Sequence, residues 1–134
     1  MRKVQLTSLM AQPYILCIDD NPHSLQTLFF LLDAEGYNCA SASSSVEALK
    51  LISTGGIGLV ILDHGLPEMT GTELAEKIRK VSSVPILMLT GRTELEKPKV
   101  VDELLIKPQD PNALLKTVSR LMSVHAAGRL SPGQ

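Results

Sequence analysis

Tryptophan is absent from these 134 residues, and aromatic residues make up only 3% of them. So few rings leave little for a base-stacking platform. A net charge of −1 offers no broad basic field to a phosphate backbone. Both point away from nucleic acid. No apolar run approaches the ~18 residues of a membrane-crossing helix, so no membrane contact is expected. Met1-Arg2-Lys3 is basic, but the stretch after it is too short and too polar for a signal peptide. Cysteine occurs twice, at Cys17 and Cys39, both in expected strands. Two reduced core thiols in a cytosolic protein is the plain reading; a disulfide redox sensor is the alternative. There is no Walker A motif, and Gly56-Ile57-Gly58 precedes a strand, where it cannot present a helix N-terminus to a pyrophosphate.

What is present is an alternation of short apolar runs and amphipathic stretches. An apolar share of 44% and this length suit one domain with one core. Strands are expected at Tyr14–Ile18, near Tyr37–Ala42, at Gly58–Leu62, Pro85–Leu89 and Leu104–Ile106. Asn21-Pro22 opens a first helix as N-cap and N1. Leu25, Leu28, Phe29 and Leu32 make its stripe, and Gly36 stops it. Ser44 with Glu47, and Thr70 with Glu73, read as capping boxes of two further helices. Val46, Leu49 and Ile52 line the first of these, and Leu74, Ile78 and Val81 the second. Asp110-Pro111 caps a last helix carrying Leu114, Leu115, Val118 and Leu121. Such alternation predicts an α/β fold, a doubly wound parallel sheet with helices on both faces. Residues 1–13 read as an N-terminal arm, 14–124 as the domain and 125–134 as a flexible tail.

Reactive residues follow the apolar runs. Ile15-Leu16-Cys17-Ile18 leads into Asp19-Asp20, Leu59-Val60-Ile61-Leu62 into Asp63, Ile86-Leu87-Met88-Leu89 into Thr90, and Leu104-Leu105-Ile106 into Lys107. In a parallel sheet these ends meet at the edge where open α/β sheets bind ligands. Three carboxylates there can hold a hard divalent cation, which relieves their mutual repulsion. A carboxylate nucleophile, a hydroxyl and an ammonium complete a set able to take up a phosphoryl group. Each part has a plainer reading by itself. Asp19-Asp20 could cap the first helix, Thr90 end a strand and Lys107 sit solvated in a loop. His23, His64 and His125 are assigned no chemistry. A haloacid-dehalogenase-like phosphatase would want a second Asp two residues after Asp63, where Gly65 stands.

The ordered combination resembles the receiver domain of two-component response regulators, over roughly Tyr14 to Met122. The resemblance implies a five-stranded sheet of flavodoxin-like order 2-1-3-4-5. It makes Asp63 the phosphoacceptor, with autocatalysed phosphorylation and dephosphorylation. Asp19, Asp20, Asp63 and the Gly65 backbone carbonyl become the Mg²⁺ ligands. Thr90 matches the switch hydroxyl and Lys107 the lysine that contacts the phosphoryl group; the Lys107-Pro108 bond is often cis in this family. Gly65 and Arg92 occupy the positions that modulate dephosphorylation. Implied partners are a sensor histidine kinase or phosphotransfer protein and an unidentified downstream protein, in a bacterial cytoplasm, with the chain a monomer or weak homodimer.

Two departures qualify the resemblance. Only 16 residues separate Thr90 from Lys107, and Pro98 interrupts the possible cap at Thr93–Glu96, so the fourth helix should be one or two turns, or irregular. Leu104 stands where most receivers carry a switching aromatic, and a leucine should favour burial in both states. A stand-alone phosphoreceiver is the leading reading. A pseudo-receiver acting as a constitutive interaction module, and the receiver piece of a longer regulator, are the alternatives.

Overall fold

The computed structural model describes residues 13–107 and 110–130, with side chains as far as residue 123. The expected N-terminal arm (save Pro13), the Lys107-Pro108 step and residues 131–134 lie outside the described residues. Five strands are present: β1 (Tyr14–Ile18), β2 (Cys39–Ala42), β3 (Ile57–Asp63), β4 (Ile86–Thr90) and β5 (Glu103–Ile106). Four helices accompany them: α1 (Pro22–Ala34), α2 (Ser45–Ser53), α3 (Gly71–Val81) and α4 (Pro111–Leu130). All strand pairs are parallel, in the order β2-β1-β3-β4-β5. The expected architecture and order are thus observed.

Period-two alternation divides the core between the two faces of the sheet. Ile15, Cys17, Leu59, Ile61, Leu87 and Leu89 pack against α1 and α4, through Leu28, Leu32, Leu114, Val118 and Leu121. Leu16, Ile18, Val60, Leu62, Ile86 and Met88 pack against α2 and α3, through Ala48, Ile52, Leu74, Ala75 and Ile78. The runs are apolar throughout because both faces are covered. Cys17 and Cys39 lie on neighbouring strands as free thiols. Their mutual hydrogen bond raises the Cys17 pKa well above its ordinary value and lowers that of Cys39.

Local signals set the helix ends. Asn21 Oδ1 accepts from the amides of His23 (2.8 Å) and Ser24 (3.3 Å). At the other end of α1, Gly36 is left-handed (φ +89°). Its amide donates to Asp33 and that of Tyr37 to Leu32, a Schellman stop that only a residue tolerant of positive φ closes without strain. Ser44 Oγ accepts from Glu47 N, but the Glu47 carboxylate turns to Ser43 N, so only half of that expected box is formed. Thr70 and Glu73 form both halves of theirs. Asp110 Oδ2 accepts from Ala113 N at 3.1 Å.

Three expectations need correction or extension. Val46 and Val81, expected inside, are 70% and 64% exposed. The inward positions are Ser45, Ala48 and Ile52 on α2, and Gly71, Leu74, Ala75 and Ile78 on α3; the buried stripes are set by which face meets the sheet, and small residues fill them where backbones approach. Helix α4 runs to Leu130, so residues 125–130 are helical. Between β4 and β5 no helix forms. Val101 is buried there, with Leu95 and Val100 partly buried against the α2–α3 side of the core. No described helix is long and apolar enough to cross a membrane.

Candidate functional site

Asp63 and Thr90 are the last residues of β3 and β4, while Asp19 and Lys107 directly follow β1 and β5. Register aligns these ends. Ile18 pairs with Leu62, Asp63 with Leu89 and Thr90 with Ile106. All five expected side chains therefore issue from one edge of the sheet. Carboxylate oxygens of Asp19, Asp20 and Asp63 lie within 4.8 Å of one another. Asp19 is buried, Asp63 half-buried and Asp20 exposed, so the cluster has a dry inner side and a wet outer one. An oxygen-only donor set of this charge fits a hard divalent cation such as Mg²⁺.

The Lys107 ammonium is hydrogen-bonded and ion-paired to Asp63 Oδ1. Asp63 Oδ2 accepts from the Gly65 amide at 3.1 Å. Asp19 Oδ1 accepts from Asn21 N at 3.0 Å. Burial raises the Asp19 pKa above the ordinary aspartate value; the Asn21 amide opposes it, and the negative charge of Asp63 adds to it. Thr90 is buried. Its Oγ accepts from Arg92 N at 3.1 Å, which leaves the hydroxyl proton free to be donated. The Thr90 carbonyl accepts from Lys107 N at 2.6 Å, tying the base of the lysine to the hydroxyl-bearing strand. The Arg92 guanidinium turns outward to Glu94, 2.9 Å away.

Several neighbours of these residues escape a sequence reading. Gly71 is one. A Cβ there would lie 2.7 Å from His64 Cα and 3.0 Å from the Asp63 carbonyl oxygen, so the start of α3 presses on the backbone at Asp63. Its small residue directly before a helical pattern is the only signal. Glu68 is another. Its carboxylate accepts from Ser45 N at 2.6 Å, which lowers its pKa and links the loop after Asp63 to the start of α2. Finally, His23, Ser24 and Thr27 of α1 line a cleft of about 430 Å³ that reaches Asp19 and Lys107.

Residues 15–119 match the family model of the response regulator receiver domain. The chain belongs to that family. Among similar proteins, the aerobic respiration control protein ArcA of Escherichia coli (strain K12) is 32% identical over 120 residues, covering 85% of this chain and 50% of that protein. The transcriptional regulatory protein CpxR homolog of Haemophilus influenzae is 33% identical over 113 residues, covering 81% and 49%. This receiver chain thus spans about half the length of the curated relatives it matches. A CheY-like receiver domain protein from Methanospirillum hungatei JF-1 superposes with a TM-score of 0.80 at 29% identity, covering 88% of this chain and 99% of that one. The response regulator TrrA from Thermotoga maritima, solved in complex with Mg(2+)-BeF, gives 0.76 at 32% identity, covering 82% and 99%.

Proposed function

We propose that this receiver accepts a phosphoryl group on Asp63 and passes the signal on through a changed protein-binding surface. One observation carries the reading: the Lys107 ammonium sits on the Asp63 carboxylate where Asp19 and Asp20 converge. Asp19, Asp20, Asp63 and the Gly65 carbonyl would hold Mg²⁺. Bound there, the ion offsets the charge of the carboxylates and of a dianionic donor. The TrrA complex with Mg(2+)-BeF supports that assignment by likeness.

The residues then have separate tasks. A carboxylate oxygen of Asp63 bonds to phosphorus as the bond from phosphorus to the donor's leaving group breaks and its electron pair departs with that group. Lys107 follows the new charge onto the phosphoryl oxygens, and Thr90 donates its hydroxyl proton to one of them. The cleft beside His23, Ser24 and Thr27 admits the donor. The donor is a phosphohistidine of a sensor kinase or phosphotransfer protein, in the cytoplasm. Leu104 is half-buried against the core and does not act as an aromatic toggle. Output comes instead from changed order in residues 91–103.

Intact mass after incubation with acetyl phosphate tests this. One added phosphoryl group is expected with Mg²⁺ and none without it. It should vanish in Asp63→Ala and fall sharply in Asp20→Ala. An undiminished adduct in Asp63→Ala, or a stable one on Ser, Thr or His, would overturn the assignment. The irregular 91–102 segment favours one competing reading, a pseudo-receiver with a constitutive binding surface. A wild-type chain that takes no phosphoryl group under these conditions would decide for it.

A further inference from the structure

The four aromatic residues of the chain are Tyr14, Phe29, Phe30 and Tyr37, and all four line one cleft of about 500 Å³. Tyr14 opens β1, and Cys39, which also lines the cleft, opens β2. The cleft therefore lies at the N-terminal edge of the sheet, opposite Asp63. Phe30 is 75% and Tyr14 47% exposed. Phe29 and Tyr37 are half-buried against the core beside them, so two anchored rings and two exposed ones share the cleft, an arrangement suited to binding. The volume lies within the ~300–1,000 Å³ typical of small-molecule sites.

Charge decides what such a cleft would take. Asp33 is the one charged residue among its described lining residues. No lysine or arginine is among those described lining residues, and Asp19 and Asp20 belong to the opposite edge. The described lining thus carries a single negative charge, which disfavours an anionic ligand. A single carboxylate is too few for a metal ion, which takes several oxygen ligands. Aromatic faces attract organic cations through the ring quadrupole, and a carboxylate beside them adds to that attraction. We infer that the cleft bounded by Tyr14, Phe29, Phe30, Tyr37 and Asp33 binds a small organic cation with an alkylammonium head. The remote acceptor chemistry plays no part in it.

The protein carries its own reporter. Both tyrosines line the cleft and there is no tryptophan, so intrinsic fluorescence reads this site. The full chain is titrated with choline and with 3,3-dimethylbutan-1-ol, its neutral carbon isostere. Choline should give a saturable change in tyrosine emission, and the alcohol should bind at least roughly tenfold more weakly. Asp33→Asn, at an exposed position, should weaken choline by about tenfold and leave phosphorylation by acetyl phosphate unchanged. Phe30→Ala should weaken it as well. Equal binding of the two probes, no effect of Asp33→Asn, or no saturable signal would overturn the inference. So would a signal that depends on protein concentration alone, which would assign the cleft to a second copy. Binding of N-acetylargininamide in place of choline would likewise replace the small cation by a partner's arginine.

Discussion

Two connections leave neighbouring strands at the same edge of the sheet and are held to different degrees by side chains. Residues 64–70, after Asp63, are fixed through backbone. His64 N donates to Leu89 O (2.9 Å), Gly71 N to His64 O (2.7 Å), and the Thr70–Glu73 box closes the start of α3. Residues 91–102, after Thr90, have no helix; their backbone bonds are Leu95 N to Arg92 O (3.4 Å), Val101 N to Pro98 O (3.1 Å) and Asp102 N to Ile86 O (2.9 Å). Long charged side chains supply the rest. Arg79 of α3 donates to the carbonyls of Val84 and Val100 and to Asp102 Oδ2, at 2.5, 2.7 and 3.1 Å. Asp102 Oδ2 also accepts from Ile86 N at 2.7 Å. Lys97 Nζ donates to the Val101 carbonyl at 3.3 Å. The Asp63 loop is therefore tied by backbone to β4 and to the start of α3, as suits positioning chemistry. The Thr90 loop is pinned by a few bonds that can be given up singly, which suits a segment that changes order.

Cutting the clamp tests the contrast most severely. Arg79→Ala removes charge-assisted bonds to three carbonyls, of Ser82, Val84 and Val100, and to a carboxylate, and should cost about 3 kcal/mol of stability in urea unfolding. Amide exchange should quicken across residues 91–102, while residues 64–70 stay protected and Asp63 still takes a phosphoryl group. Equal loosening of both connections would show that they are one unit. Gly71→Ala attacks the other side. The new methyl must displace His64 or Asp63 backbone, at about 1–3 kcal/mol for overpacking, against up to ~1 kcal/mol gained from helix propensity. A net loss of about 1–2 kcal/mol is expected, with slower phosphorylation of Asp63 and unchanged exchange at 91–102. An unaltered phosphorylation rate would mean that the loop does not depend on this contact.

The smallest effect is expected at Asp19, and its sign is the point. Its pKa is raised in the folded state, chiefly by burial. Asp19 therefore contributes most to stability below the ordinary aspartate value, and that contribution is lost as pH rises through the raised one. Without Mg²⁺, Asp19→Asn should melt slightly higher than wild type at pH 7. The difference should fade as pH falls through the carboxylate range. Asn keeps an oxygen for the Asn21 amide, so the change isolates the charge. With Mg²⁺ the order should reverse. A variant less stable than wild type without the ion at pH 7 would show that the cluster is not strained.

The parts that could be read early are those whose cause is local. The apolar runs marked every strand to within a residue or two. Asn21, Ser44, Thr70 and Asp110 marked helix starts because a side-chain oxygen near free amides acts over three residues. Pro98 and the short spacing foretold the irregular segment. Other features were not legible. Val46 and Val81 are apolar and fell close to helical stripes, yet the sheet meets other faces. Arg79 and Asp102 are 23 positions apart, and neither is distinctive alone.

The order of apolar runs, breakers and reactive residues determined the alternating α/β chain and named Asp19, Asp20, Asp63, Thr90 and Lys107 as the residues to watch. Period and capping are properties of neighbours along the chain, so they survive without coordinates. Tertiary structure decided what those residues and their neighbours touch: Lys107 on Asp63, Arg92 turned away to Glu94, Gly71 against the Asp63 backbone. It also gathered four scattered rings and Asp33 into one cleft. These contacts depend on strand register and helix placement, which follow from burying both faces of one sheet at once.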